Sequence, residues 1–349
     1  MFCFHVVRTD VTEPVPGVIY DGPTDSVDQA FSSSLTTVEA NWNGFYDYES
    51  SIAQYTVTVS RRPDGAAIAE AVYSIVVDGN VNRISLNQFS FSNGDQISVE
   101  VEATNGAGMT AAASSDGYTI DLTPPHVSYI VDGSDPSGDL EYQVSNTNYT
   151  VSWDVRDEES GISQIEGAIF EIREGRRMRV YPPPQLQPSS SIPPTQSSWS
   201  ISNDLMLDVG VKYIATLTFT NGAGIRVVYE TNGVIVDRTP PIIQTVSVSS
   251  KTYIDGEGPE IATVLADPDF IEARWTAVDP ESGISGYRVG IVEGNDTLVV
   301  AYTSFENTNG GVLEGARSVL DSDEVYRIVV IAINLAGEES MPAYSNQFR

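Results

Sequence analysis

The sequence has one cysteine, Cys3, and two histidines, His5 and His126, in 349 residues. A single thiol excludes an internal disulfide framework, though not secretion, because domains of roughly 100 residues can stand on a packed core alone. So few histidines, with no second cysteine, no His-x-x-x-His pair, no Gly-x-Ser-x-Gly elbow and no phosphate-cradling glycine loop, leave little with which to build a catalytic centre. The chain is expected not to be an enzyme. Positive charge is also scarce: 18 Lys and Arg stand against 48 Asp and Glu, a formal net charge of −30. Such a surface repels phosphate backbones and anionic lipid, which excludes nucleic acid as a natural partner and favours cations or basic surfaces. No apolar run reaches about 18 residues, so no membrane insertion is expected in this segment. No segment carries a sustained 3.6-residue apolar stripe, so helix is expected only in turns. The leading Met1-Phe-Cys-Phe-His-Val-Val-Arg8 lacks a basic n-region and does not read as a signal peptide.

Against these absences stands a hydrophobic content of 41%, enough for packed cores. It is distributed in a repeat, and three markers recur in the same order, roughly 110–120 residues apart. The first is an Asp-x-Thr step before proline: Asp10-Val-Thr12-Glu-Pro14, Asp121-Leu-Thr123-Pro124-Pro125 and Asp237-Arg-Thr239-Pro240-Pro241. The second is a Trp followed by an acidic turn, Asp-x-Glu-Ser-x-Ile: Trp42 with Asp47, Glu49, Ser50 and Ile52; Trp153 with Asp157, Glu159, Ser160 and Ile162; Trp275 with Asp279, Glu281, Ser282 and Ile284. The third is Asn-x-Ala-Gly, beginning at Asn105, Asn221 and Asn334.

This periodicity divides the chain into residues 1–13, the closing strand of a preceding repeat, and three units at 14–124, 125–240 and 241–349. The joints should be short and semi-rigid, because proline denies the strand ladder a donor and holds the link extended. The leading remnant implies a piece of a longer array. Within the units, period-2 alternation marks strands. Ile97-Ser-Val-Glu-Val-Glu-Ala103 is the clearest, and Asn105-Gly106 turns it back as a hairpin. Thr37–Trp42, Ile52–Val59, Tyr149–Trp153, Tyr213–Phe219, Ile271–Trp275, Tyr287–Val292 and Tyr326–Ile333 read the same way. The fold class is all-β, three tandem antiparallel β-sandwiches. Residues 173–198 form a Pro/Arg-rich insert in the second unit, with Arg173, Arg176, Arg177, Arg179 and Pro182-Pro-Pro184. It reads either as a recognition loop for an acidic or proline-reading partner or as a solvated, mobile insertion. Trp199 at its end is a surface aromatic or a loop anchor.

A Trp on an early strand, a Tyr eight residues before Asn-x-Ala-Gly (Tyr213 and Tyr326) and a hydrophobic residue six before that Tyr (Leu207 and Leu320) resemble the fibronectin type III domain. That phenol holds the position of the tyrosine corner. The first unit has Ile97 there, so its corner should close by packing alone. With Pro16–Gly22, Trp42–Ser50 and the Asp-x-Thr-Pro-Pro steps, the sequence is similar to the fibronectin III-like repeats of large animal extracellular proteins. The resemblance implies an extracellular location, a tandem string, a structural or adhesive role, and other extracellular or cell-surface proteins or glycans as partners. Two other functions compete: a receptor-type ligand-binding module, and an accessory region of a large extracellular enzyme.

The one chemistry the residues themselves suggest is calcium, a hard cation that takes carboxylates and carbonyls on loops. Asp47 and Glu49, Asp157 and Glu159, and Asp279 and Glu281 offer two carboxylates per unit. Asp10, Asp121 and Asp237 lie at the joints, and Asp132, Asp135 and Asp139 form a further cluster. The competing reading is that Asp and Ser cap the turn by accepting backbone N–H bonds while Gly161 and Gly283 supply a positive φ. Ser51 stands in the glycine position of the first unit, so a positive φ is not expected to be required there. No other cofactor is expected. Asn148-Tyr-Thr150 and Asn295-Asp-Thr297 are glycosylation sequons.

Overall fold

The computed structural model describes residues 9–248, 251–252, 263–264, 269–321 and 323–349. The expected closing strand at 1–13 therefore lies largely outside the described residues. Strands dominate, and among the described residues the only helical element is a 3-10 turn at Ala316–Ser318.

Each unit is built from two sheets around its own core. In the first, a three-stranded sheet (Val18–Asp21, Val38–Asn43, Arg83–Leu86) faces a larger one of Phe31–Ser32, Tyr118–Ile120, Gln96–Asn105, Ile52–Arg62 and Glu70–Asp78. Thr110–Ser114 also pairs with Gln96–Asn105. The second unit repeats this plan, with His126–Asp132, Asn148–Arg156 and Ser198–Ser202 facing a sheet centred on Lys212–Asn221 and Ile162–Arg173. In the third, Ile242–Val248, Phe270–Val278 and Gly310–Glu314 face Leu298–Glu306, Ile284–Glu293, Tyr326–Asn334 and Ala343–Tyr344. Among the described residues, pairing is antiparallel except for two short contacts, Phe31–Ser32 with Tyr118–Ile120 and Tyr142–Gln143 with Val234–Val236. There the chain leaves the first strand of a unit, crosses to the opposite sheet and runs beside its last strand.

Alternation explains the cores. In Gln96–Asn105, Ile97, Val99, Val101 and Ala103 are buried while Gln96 and Glu100 face solvent. Trp42, Trp153 and Trp275 are each at most 2% exposed. They sit against an aromatic from the opposite sheet: Tyr55 at 5.5 Å, Phe219 at 6.0 Å and Tyr287 at 5.5 Å between ring centroids. Burying one such indole removes roughly 150–250 Å² from water, about 4–6 kcal/mol before entropy.

The tyrosine corner forms where the sequence supplies it. Tyr213 Oη accepts the Asp208 N–H at 2.7 Å, and Tyr326 Oη accepts the Asp321 N–H at 2.8 Å. The first unit departs from the expectation of packing alone. Asp95, 1% exposed, accepts the corresponding Ser92 N–H at 2.7 Å and pairs with Arg61 at 2.7 Å. A carboxylate just ahead of the same strand replaces the missing phenol, and an arginine from the neighbouring strand balances its charge.

The Pro/Arg-rich stretch pairs in part with the sheet of the second unit. Arg176–Tyr181 is the edge strand beside Ile162–Arg173, and Ser190–Ile192 returns to pair with the same strand. Three of its four arginines have side-chain partners. Arg173 pairs with Glu171 and Asp208, Arg177 pairs with Glu230 and lies over the Phe170 ring, and Arg179 donates to the carbonyls of Pro184 and Pro188. Charge on an outer strand discourages edge-to-edge pairing, which accounts for arginine in this position. Trp199 is half-buried on Ser198–Ser202 and packs against Tyr181 at 5.9 Å and close over Gly167. It is an anchor of the core's rim.

Candidate functional site: the three joint clusters

The three sequence markers converge on one place in every unit. At the second, Asp121 is the first residue after the last strand of the preceding unit and is fully buried. Its Oδ1 accepts the Thr123 N–H at 2.8 Å, the local turn that Asp-x-Thr encodes. Its Oδ2 accepts the Asn221 amide at 3.0 Å and the Ser160 hydroxyl. The same amide nitrogen lies 2.9 Å from the Thr123 carbonyl and 3.1 Å from Asp157 Oδ2. Asp157 Oδ1 in turn accepts the Ser160 N–H at 2.9 Å, capping the acidic turn. Asn221 is held in this orientation because its own Oδ1 accepts the Ile225 N–H at 2.8 Å across the hairpin.

The third unit copies this geometry. Asn334 Nδ2 lies 2.9 Å from Asp237 Oδ2, 3.0 Å from the Thr239 carbonyl and 3.1 Å from Asp279 Oδ2, and Ser282 donates to Asp237. In the first unit Asn105 meets Asp10, the Thr12 carbonyl and Asp47 at 2.8, 3.0 and 3.1 Å, and Ser50 donates to Asp10. The Glu completes each cluster. Thr123 Oγ1 lies 3.0 Å from Glu159 and Thr239 Oγ1 lies 3.1 Å from Glu281, with the Thr12 hydroxyl donating to Glu49 in the same way.

Joint and turn carboxylates, which the sequence offers as separate sets, are therefore one group per unit: Asp10, Asp47 and Glu49; Asp121, Asp157 and Glu159; Asp237, Asp279 and Glu281. Within each group one oxygen per residue lies within 4.8 Å of the others. Backbone donors favour ionisation at the turn. The Ser50 N–H, the Asn105 amide and the Glu49 and Ser51 N–H groups hold Asp47 below the usual carboxylate range. Burial opposes the charge on Asp279, but the Ser282 N–H, the Asn334 amide and the Gly283 and Glu281 N–H groups outweigh it, and that carboxyl also lies low.

All these donors are oxygens suited to a hard cation. The space between them is taken by the asparagine nitrogen, whose oxygen is turned away, so the inner oxygens already have hydrogen-bond donors. The outward oxygens of Glu49, Glu159 and Glu281 are those an ion would reach first.

Asn105, Asn221 and Asn334, with the Ser and Thr partners, belong to this cluster, whereas motif reading takes the Asn and Thr as repeat markers, Asn105 also as a hairpin residue, and the Ser as a turn cap. Their signal was present all the same: sandwich folding does not demand that three polar motifs recur in register. The turn glycines hold one surprise. Ser51 adopts φ +62°, matching +65° at Gly161 and +78° at Gly283, so the positive φ is used in all three units. Of the other acidic cluster, Asp132 and Asp139 meet through the Asp132 N–H bonding Asp139 Oδ1 at 2.8 Å, while Asp135 caps its own turn at Ser137. Asn148 and Asn295 are both exposed, Asn148 at a strand start and Asn295 accepting the Thr297 N–H at 3.0 Å.

No protein-family model and no curated protein matches this sequence. Solved structures do. The FN1-FN3 domains of chicken CNTN1 are 16% identical, with 97% of this chain and 96% of that chain covered at a TM-score of 0.33. A 1.5-MDa bacterial ice-binding adhesin is 17% identical, covering 95% and 96%, at 0.35. The fibronectin(III)-like modules of Clostridium thermocellum CbhA are 16% identical, covering 63% and 93%, at 0.33. By its sheet order, its buried Trp residues and the Tyr corner of two units, the chain is a tandem array of fibronectin III-like β-sandwiches.

Proposed function

We propose that this chain is a non-catalytic extracellular rod, a spacer or adhesive stalk divided at 14–124, 125–240 and 241–349, whose stiffness resides in its joints. One observation carries the reading. Asp121 belongs to two units at once: its N–H bonds the Ser32 carbonyl in the first sandwich, and its carboxylate bonds Ser160 and Asn221 in the second. Asp237 repeats the arrangement between Gln143 on one side and Ser282 and Asn334 on the other. A link whose single residue is bonded on both sides has few torsions left to vary, and a joint with few free torsions transmits direction. A sandwich with ten-residue strands spans about 33 Å, so three in line reach roughly 100 Å. Small-angle scattering tests this: a maximum dimension near that figure supports a rod, and a compact particle removes the reading.

A second reading adds calcium at the joints. What favours it is that three carboxylates gather within 4.8 Å in every unit, where like charges repel by about 1 kcal/mol per pair in water and by more where water is thin. The outward oxygens of Glu49, Glu159 and Glu281 would take the ion first, and Asp10, Asp47 and their counterparts in the other units would join only by giving up hydrogen bonds they already accept. A melt that rises by several degrees with calcium and falls with chelator supports it; superimposable melts leave the joints to hydrogen bonds alone.

A further inference from the structure

Away from the joints, one buried carboxylate in the first unit lacks what its counterpart in the second unit has. Asp21 and Asp132 occupy equivalent places, at the end of the first strand opposite Ala40 and Val151. Both are buried, at 0% and 1% exposure. Both receive a glycine N–H on Oδ2, from Gly117 at 3.0 Å and from Gly233 at 2.8 Å. The N–H of Asp21 bonds Asp28 Oδ1, and that of Asp132 bonds Asp139 Oδ1, each at 2.8 Å.

The units then diverge at two positions. In the second, the phenol of Tyr149 donates to Asp132 Oδ1. The first has Val38 at that point of the strand, four residues before its Trp as Tyr149 is before Trp153, and Asp21 Oδ1 is buried with no hydrogen-bond partner. The residue before the glycine is Asn232 in the second unit and Asp116 in the first. One proton donor is lost and one negative charge is gained at the same spot. Asp21, Asp28 and Asp116 consequently bring three carboxylate oxygens within 4.8 Å of one another.

We propose that Asp21, Asp28 and Asp116 form a site for a divalent cation of the calcium class, which gives Asp21 Oδ1 a partner at the point where the Tyr149 phenol donates a hydrogen bond to Asp132. An unpartnered acceptor in a protein interior is strongly disfavoured, and a bare carboxylate more so. Without a cation, burial pushes the Asp21 carboxyl up to about 6; the Ser115 hydroxyl, which lies near the carboxyl without a hydrogen bond to Oδ1, and the Gly117 N–H on Oδ2 oppose this, and Asp28 and Asp116 add to it. A hard cation takes oxygen ligands, and this cluster offers nothing else. Access is open, because Asp28 and Asp116 are exposed and a cavity of about 400 Å³ borders Asp21, Asp28 and Gln29. The site is separate from the joint clusters and occurs once among the described residues, since the Asp132 counterpart has its phenol and no third carboxylate.

The test compares calcium binding to the whole chain by titration calorimetry at neutral pH with that of two variants. Asp116→Asn installs the residue of the second unit at an exposed position, and Val38→Tyr supplies the phenol. The expected result is one calcium fewer per chain in each variant, or a weakening of that site by about tenfold or more, with every other binding event unchanged. Equal stoichiometry and affinity in all three proteins, at zero ions or at any other number, would overturn the proposal. Because neither variant touches Asp121 or Asp237, the outcome is independent of the rod reading.

Discussion

The Asp121 carboxylate and the Asn221 amide meet at 3.0 Å although one hundred residues separate them, and that contact fastens the exit of one sandwich to the far hairpin of the next. The asparagine reaches a carboxylate, a backbone carbonyl and a second carboxylate with one nitrogen, while its oxygen holds its own hairpin. Replacing Asn221 by Ala should therefore leave a fully buried carboxylate short of a donor and the Ile225 N–H without its acceptor. Such losses cost about 2–4 kcal/mol together. Denaturant titration should locate that loss in the second unit, and Asn105→Ala should cost less, because Asp10 is not fully buried.

Ser51 is the strained member of the turn set. A non-glycine residue at φ +62° carries about 1 kcal/mol that glycine avoids, partly offset by the greater chain entropy of glycine. Ser51→Gly should stabilise the first unit by about 0.5 kcal/mol. Gly283→Ala should destabilise the third by about 1 kcal/mol through torsion alone, since an added Cβ meets nothing within 4 Å. Equal melts for each variant and its parent would show that these turns relax freely.

Corner chemistry gives a third test. Tyr213→Phe removes the acceptor of the Asp208 N–H and should cost the second unit about 1 kcal/mol. In the first unit the same function rests on Asp95, so Asp95→Ala should cost more, about 3 kcal/mol, by stranding both the Ser92 N–H and the half-buried Arg61. Thermal melts of the two variants would rank them, and the reverse order would show that Asp95 is not the surrogate.

Much of this architecture could be read from residue order. Period-2 alternation placed the main strands, the Trp spacing found the repeat, and both survive because they are local properties of the chain. What could not be read depends on distant partners. Ile97 signalled a missing phenol, but nothing local says that Asp95 turns inward to meet Ser92 and Arg61. Arg176 to Arg179 look like a loop because arginine and proline dominate, until pairing with Ile162–Arg173 makes an edge strand of them. Ser51 seemed to relax a conformational demand that the turn nevertheless imposes. The carboxylates at the joints and in the turns were visible, but their meeting within 4.8 Å is a product of tertiary closure around asparagines that had looked like mere hairpin residues.

Acid should stabilise the second unit. Burial pushes Asp132 up to about 6 against the donors Tyr149, Thr231 and Gly233, with Asp139 raising it further. In the unfolded chain an aspartate titrates near about 3.9. A folded pKa above the unfolded one means that the folded state binds the proton more tightly. The associated stability is complete below about pH 4 and is lost as pH rises through about 6. Moving from pH 7 to pH 5 should raise the stability of this unit by about 1 kcal/mol, since a tenfold difference in proton affinity is worth about 1.4 kcal/mol. Relief of the general negative charge acts in the same direction on all units, so the comparison is with Asp132→Asn, whose stability should rise less. Identical pH slopes would remove Asp132 as the source.

The central claim is that the joints are held by side chains, and a distance distribution across one joint tests it most directly. Spin labels on the exposed positions Glu100 and Val228, with Cys3 replaced by serine, report the first and second units by pulsed dipolar spectroscopy. A single narrow distribution that broadens by several ångströms in Asn221→Ala, while the second unit remains folded, is the predicted result. A broad distribution in the parent chain, or one unchanged by the substitution, would contradict it.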